Sequence, residues 1–274
     1  MFAFAANSLL CRLALQHSGI DPASFATLRL VAGALMLAAI IRLKPGAAAP
    51  VRADWLAAAM LWAYAACFAF AYVTLTAGTG ALILFGAVQL TMFSAGLYAG
   101  ERFAPVAWVG LALALAGFVW LVSPGIEAPA PLGAALMAFA GIAWGIYSLR
   151  GRKVPDPLAA TAGNFLRAAP MAIGLSALLV SQVDVKASGA VLAVASGAVT
   201  SGIGYVVWYA ALRGLSAMRA ATVQLAVPPV AAFGGVLFLS EAITLRLGGA
   251  TLAILGGVAL VLMTRSRRLP TPRA

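Results

Sequence analysis

The chain has 274 residues, of which 64% are hydrophobic and only 9% charged. A soluble domain cannot cover its surface from that mixture, and a mean hydropathy of +1.02 places most of the chain in lipid. The formal net charge of +11 is spread along the sequence rather than gathered into one domain, which argues against a nucleic-acid partner.

Ten apolar spans are predicted as transmembrane helices, at 2–15, 23–41, 55–75, 80–98, 105–122, 132–149, 158–180, 189–212, 217–239 and 245–264. The runs are continuous and rich in Ala, Leu and Gly, whereas barrel strands alternate over about 10 residues. The fold class is therefore an all-α integral membrane protein. The connections are short and carry Pro, Gly and charge, and no soluble domain is inserted. The first span lacks the basic leader of a cleaved signal peptide. It begins at Met1 and is short, so the natural start is expected upstream. Cys11 and Cys67 both sit inside apolar runs, so neither a disulfide framework nor a cysteine metal site is expected. No cofactor is expected either.

Lys and Arg set the orientation. With the N-terminus inside, 13 of the 18 fall in inner loops and the tail, and two, Lys186 and Arg246, fall outside. Arg12, Arg29 and Arg167 lie within apolar runs. Positive loops stay on the cytoplasmic side, so both termini are predicted there.

The chain also starts over. Phe4, Ser8 and Arg12 correspond to Trp144, Ser148 and Arg152 at a shift of 140, and Glu101 and Gly117 correspond to Glu241 and Gly257. This divides the chain into a first repeat at 1–124 and a second at 125–274, the latter ending in a basic tail. Five spans is an odd number, so the second repeat enters the membrane from the opposite side. Inverted repeats of this kind suit a carrier with its site between the halves near the midplane, working by alternating access.

Several motifs recur in order. They are a box near the start of each repeat (Asn7 to Arg12; Trp144 to Ser148), a Leu-Arg step (Leu28-Arg29; Leu166-Arg167), a Tyr-x-x-Leu ending (Tyr72–Leu75; Tyr209–Leu212), the two Glu residues, and a Gly-rich last helix. In these features the chain resembles the drug/metabolite transporter superfamily in its EamA-type branch, and within it the YddG-type aromatic amino acid exporters. The resemblance implies efflux of amino acids or similar metabolites across a bacterial inner membrane. At Asn7 and Phe4 the first repeat departs from Tyr147 and Trp144 of the second.

All seven acids lie in loops or at helix ends, and the one histidine, His17, lies at the outer end of the first helix. Proton-coupled carriers place a titratable group within the membrane, so transport is expected to run down the substrate gradient without a proton. Arg29 and Arg167 are the deepest basic residues. A charge at a helix centre costs roughly 2.5–3.5 kcal/mol, so each is expected to face a cavity or a partner. Either could hold a substrate carboxylate, while their near-symmetry favours anchoring to backbone or snorkelling; Arg167 is taken as the substrate contact.

Tyr205, Trp208 and Tyr209 share one helix face. Tyr205 and Trp208, with Asn7, Tyr64, Gln89, Trp144, Tyr147, Arg167 and Gln224, form the predicted substrate-binding set, suited to an amphipathic, often aromatic solute. Trp55, Trp108 and Trp120 are assigned to the interfacial belt. Tyr72 and Tyr209 are predicted to seal opposite gates, and Pro228-Pro229 to bend the ninth helix near its middle as a hinge. Lack of a buried carboxylate counts against a cation carrier, and scattered acids count against a polytopic membrane enzyme. The expected partners are a zwitterionic small molecule and membrane lipid, with the protein a monomer. A proton-coupled drug or metabolite carrier is the alternative.

Overall fold

The computed structural model describes residues 1–43, 54–99, 104–125, 127–152, 154–212, 223–224 and 226–263. Glu101, most of the inner basic residues (Lys44, Arg52, Arg102, Lys153, Arg213, Arg219 and the tail) and positions 217–222 of the ninth span lie outside them. Among the described residues the regular structure is helical, with one isolated bridge between Ile20 and Val185. The helices are α1 (Phe2–His17), α2 (Pro22–Leu43), α3 (Trp55–Tyr72), α4 (Ala77–Tyr98), α5 (Pro105–Val122), α6 (Pro131–Gly151) and α7 (Pro157–Leu178). They continue as α8 (Ala187–Leu212), α9 (Val227–Leu239) and α10 (Leu245–Met263). Six of them, α2 to α6 and α8, are long and apolar enough to cross a membrane.

Local chemistry sets the helix starts. The Asp54 carboxylate accepts the Ala57 N–H at 2.9 Å, and Asp156 accepts the Leu158 and Ala159 N–H groups at 2.9 and 3.1 Å. Each satisfies donors that a first turn leaves unpaired. Proline stands in the first turn of α5, α6 and α7, where it has no helical hydrogen bond to lose. Pro228 and Pro229 likewise stand in the first turn of α9, after the non-helical Ala226, and Val223 and Gln224 before it are again helical.

The helices pack in a regular set of pairs: α2 with α7, α4 with α9, α5 with α10, α3 and α4 with α6, α1 with α8 and α9, α2 with α8, and α3 with α7. Exchanging each helix with the one five places along maps this set onto itself. Small residues permit the close approaches. A Cβ on Gly110 of α5 would meet the Gly257 carbonyl of α10, and one on Gly257 would meet the Gly110 carbonyl.

Within α8, residues Ser196–Ile203 form a π-helical segment that the sequence reading did not anticipate. One widened turn re-aims the side chains around it. Gly197 in that segment lies directly against the Arg29 backbone of α2. Adding a single methyl there forces the two helices apart, and overpacking of this kind costs about 1–3 kcal/mol. Gly197→Ala should therefore lower the thermal midpoint of the purified protein in detergent. Gly174→Ala, where a Cβ meets open space, should leave it unchanged or raise it. Equal midpoints for the two variants contradict the packing described.

Candidate functional site

Arg29 lies at the centre of the molecule with 1% of its surface exposed. Its Nε–H donates to the Ser201 hydroxyl at 2.9 Å, and Nη2 donates to the Tyr64 and Tyr205 hydroxyls at 3.1 and 2.6 Å. The guanidinium carbon stands 5.0 Å from the ring centres of both Tyr64 and Phe68, within cation–π range. Nη1 is buried and has no hydrogen-bond partner among the described residues. Burying an unsatisfied donor of a charged group is costly, so the position is one a ligand or water would complete.

A second polar hub adjoins it. The Asn7 side-chain amide donates to the Tyr64 hydroxyl at 3.3 Å, and its carbonyl accepts from Ser196 and Thr200. The π-helical segment thus supplies three hydroxyls: Ser201 to Arg29, Ser196 and Thr200 to Asn7. Helices α1, α2, α3 and α8 converge on these groups.

Aromatic rings surround them. Phe4 meets Trp144, Tyr205 and Trp208 edge to face at 5.4, 5.9 and 5.7 Å. Trp144 lies 5.0 Å from Tyr64, 4.7 Å from Tyr205 and 5.4 Å from Tyr147. Its indole N–H donates to the Gln224 carbonyl at 3.1 Å. The predicted residues Asn7, Tyr64, Trp144, Tyr147, Tyr205, Trp208 and Gln224 are brought together in this way. Gln89 is buried in α4.

Arg167 is not in the cluster. Its Nη1 folds back to the Gly163 carbonyl at 2.8 Å, and its guanidinium lies 5.7 Å from the ring centre of Trp55, which is largely exposed at the start of α3. The two arginines sit at similar depths in sequence, but α2 turns Arg29 to the molecular centre while α7 turns Arg167 to one end. Arg29, not Arg167, is the arginine set among the predicted aromatic residues. Phe4 was also missed as a ring partner, although its correspondence with Trp144 was visible. The three hydroxyls carried no sequence signal, because Ser and Thr in an apolar helix most often bond back to their own backbone.

The two ends of the bundle differ. At the end where α1 finishes and α2 begins, Arg12 Nε donates to Glu241 at 3.2 Å, and its Nη1 donates to the Tyr72 and Val73 carbonyls at 2.8 and 3.2 Å. The Glu241 carboxylate also accepts the Ala77 N–H, at 2.8 Å to one oxygen, so it caps the positive end of α4. Tyr72 is fully buried here, its hydroxyl donating to the Ala77 carbonyl at 3.3 Å. Nearby, the α1–α2 and α7–α8 loops are clasped by Lys186 N–H to Gly19 O at 2.7 Å and Asp21 N–H to Asp184 O at 2.8 Å.

At the opposite end a cavity of about 260 Å³ is lined by Asp54, Arg150, Asn164, Arg167 and Tyr209 among others. Arg150 Nε donates to Asp54 at 2.7 Å. Partial burial works against the Asp54 carboxylate, but the Arg150 guanidinium and the Ala57 N–H outweigh it and hold the group below its ordinary range. Tyr209 is buried between this cavity and the ring cluster; its hydroxyl donates to the Tyr147 carbonyl at 3.2 Å.

Residues 131–263 match the model of the EamA-like transporter family. The chain belongs to that family. It is thus a multi-pass membrane transporter of the drug/metabolite superfamily, and not an enzyme. It is 52% identical over 268 residues to an uncharacterized protein of Pseudomonas aeruginosa, PA1977, covering 98% of this chain and 93% of the relative. A solved crystal structure superposes with a TM-score of 0.69 at 20% identity, covering 96% of both chains, which speaks for a shared fold.

In this transporter the Arg12–Glu241 pair is about nine-tenths buried on both sides. Removing one partner of such a pair strands the other, at a cost of about 3–5 kcal/mol. Glu241→Ala and Arg12→Ala should each lower stability markedly, and the double variant by much less than the sum. A double-mutant cycle by thermal unfolding in detergent reads this directly. Additive losses contradict the coupling.

Proposed function

We propose that this transporter exports amino acids, aromatic ones included, across a bacterial inner membrane by alternating access, as in YddG-type exporters. The observation that carries the reading is Arg29 Nη1, a buried cationic donor without a partner among the described residues, set inside a cage of aromatic rings. A carboxylate completes the guanidinium through a charge-assisted hydrogen bond. An apolar or aromatic side chain packs on Phe4, Trp144 and Tyr205, and the hydroxyls and amides of Tyr64, Asn7 and Gln224 take the ammonium or orient the solute.

The two-repeat reading supports alternating access. The helix pairings exchange under a shift of five helices, and the family match begins at 131, where α6 begins. The excess of Lys and Arg in alternate loops of the sequence supports cytoplasmic termini. The Arg12–Glu241 end then faces outward and is closed, and the Asp54–Arg150 cavity faces inward. Tyr72 stands at the outer gate and Tyr209 at the inner, each filling space beside a glycine, Gly80 and Gly151. That one chain supplies every named part of this site supports a monomer as the working unit.

Among the described residues, no carboxylate or histidine lies in the central cluster; the acids stand at helix ends and in loops, and His17 in the last turn of α1. Transport on this reading runs down the solute gradient without a proton. Labelled phenylalanine should leave proteoliposomes saturably, at a rate unchanged by an imposed pH gradient. Trp144→Ala should cut that rate roughly tenfold, about 1.4 kcal/mol of lost stacking and hydrogen bonding. Normal efflux after both Tyr72→Ala and Tyr209→Ala sinks the gate assignment. Efflux that requires the pH gradient sinks uncoupled transport.

A further inference from the structure

The cavity beside Tyr209 lies outside the central cluster, and its chemistry is specific. It holds one carboxylate, Asp54, and two guanidiniums, Arg150 and Arg167, with the buried Asn164 of α7. Arg150 and Asp54 are already paired through Nε at 2.7 Å, but their side chains are 43% and 32% exposed. An exposed pair of this kind is held weakly and opens at little cost. Arg167 spends Nη1 on the Gly163 carbonyl and holds its plane near Trp55, which fixes the guanidinium at the cavity wall.

Three ligand classes can be weighed against that lining. A simple anion satisfies the arginines but meets Asp54. A simple cation satisfies Asp54 but meets two guanidiniums. A zwitterion with its charges a few bonds apart satisfies both, taking the place of each partner in the Asp54–Arg150 pair. We infer that this cavity is a loading site for the α-amino-acid headgroup, the ammonium on Asp54 and the carboxylate on the Arg150 and Arg167 guanidiniums.

The inference rests on the proposed transport of amino acids and adds a second station to it. Tyr209 forms the floor of the loading site, and Tyr147 and Trp144 stand behind it. A bound headgroup opens the Asp54–Arg150 pair, which ties the start of α3 to the end of α6. Rotation of Tyr209 away from the Tyr147 carbonyl then leads to the ring cluster. Two stations in series let the loading site select for a zwitterion and the ring cluster for an aromatic side chain.

The test uses the full chain in proteoliposomes or nanodiscs. Val154, which lines the cavity, is changed to Cys in a Cys67→Ala background; Cys11 is fully buried and does not report. Labelling by a water-soluble maleimide is timed with L-phenylalanine, with glycine, with phenylalanine methyl ester and with phenylpropanoate. Both amino acids should slow labelling about fivefold or more, and the two analogues, each lacking one charge, should not. Arg150→Gln should abolish protection and raise the KM for phenylalanine at little cost in maximal rate, with Arg150→Lys partly restoring it. Protection by an analogue equal to that by the amino acids overturns the inference. So does absence of protection, whether or not phenylalanine is transported. Protection without any amino acid transport leaves the zwitterion site standing and removes the exporter reading instead.

Discussion

A guanidinium held at the middle of a lipid-embedded bundle constrains everything around it. Arg29 is shut off from bulk solvent, and a charge left unpaired in an apolar interior costs several kcal/mol. Its neighbours are arranged around that fact. Gly197 brings α8 against α2, the widened turn at Ser196–Ile203 delivers Ser201, and Tyr64 and Tyr205 converge on Nη2 from two other directions. Asn7 in turn steadies Tyr64 and is steadied by Ser196 and Thr200. Four helices thus share one polar knot, and the aromatic rings pack outward from it.

The two ends of the bundle around this knot are tied differently. One end is tied by Arg12, Glu241 and the capped start of α4, groups held out of water where Coulomb attraction is strong. The other carries a solvated ion pair that water screens. On the proposed alternating-access reading, a strong tie on one side and a weak one on the other favours resting with the strongly tied side closed. Tyr72 and Tyr209 echo it: each seats its ring beside a glycine and donates to a backbone carbonyl, but at opposite ends.

Much of this was legible in the sequence. Nine of the ten apolar runs match helices to within a few residues, and the 217–239 run does so at its end, its start lying outside the described residues, because hydrocarbon permits little else. Tyr64, Trp144 and Tyr205 stood out as deep aromatics with polar tips, and they do meet. Other features had no local signature. The choice of Arg29 over Arg167 depends on which way α2 and α7 face, which a uniformly apolar helix does not encode in its periodicity. The π-helical segment arises from packing α8 on α2, and SGAVTSGI reads equally well as an ordinary small-residue stretch. The Arg12–Glu241 tie spans 229 positions, beyond the reach of any spacing argument.

The most direct measurement is an anomalous-scattering crystal structure of the protein with L-4-iodophenylalanine. The account predicts the iodine among the rings of Phe4, Trp144 and Tyr205, and the carboxylate within hydrogen-bond reach of Arg29 Nη1. A ligand found only outside this cluster, with Nη1 still without a partner, would contradict it.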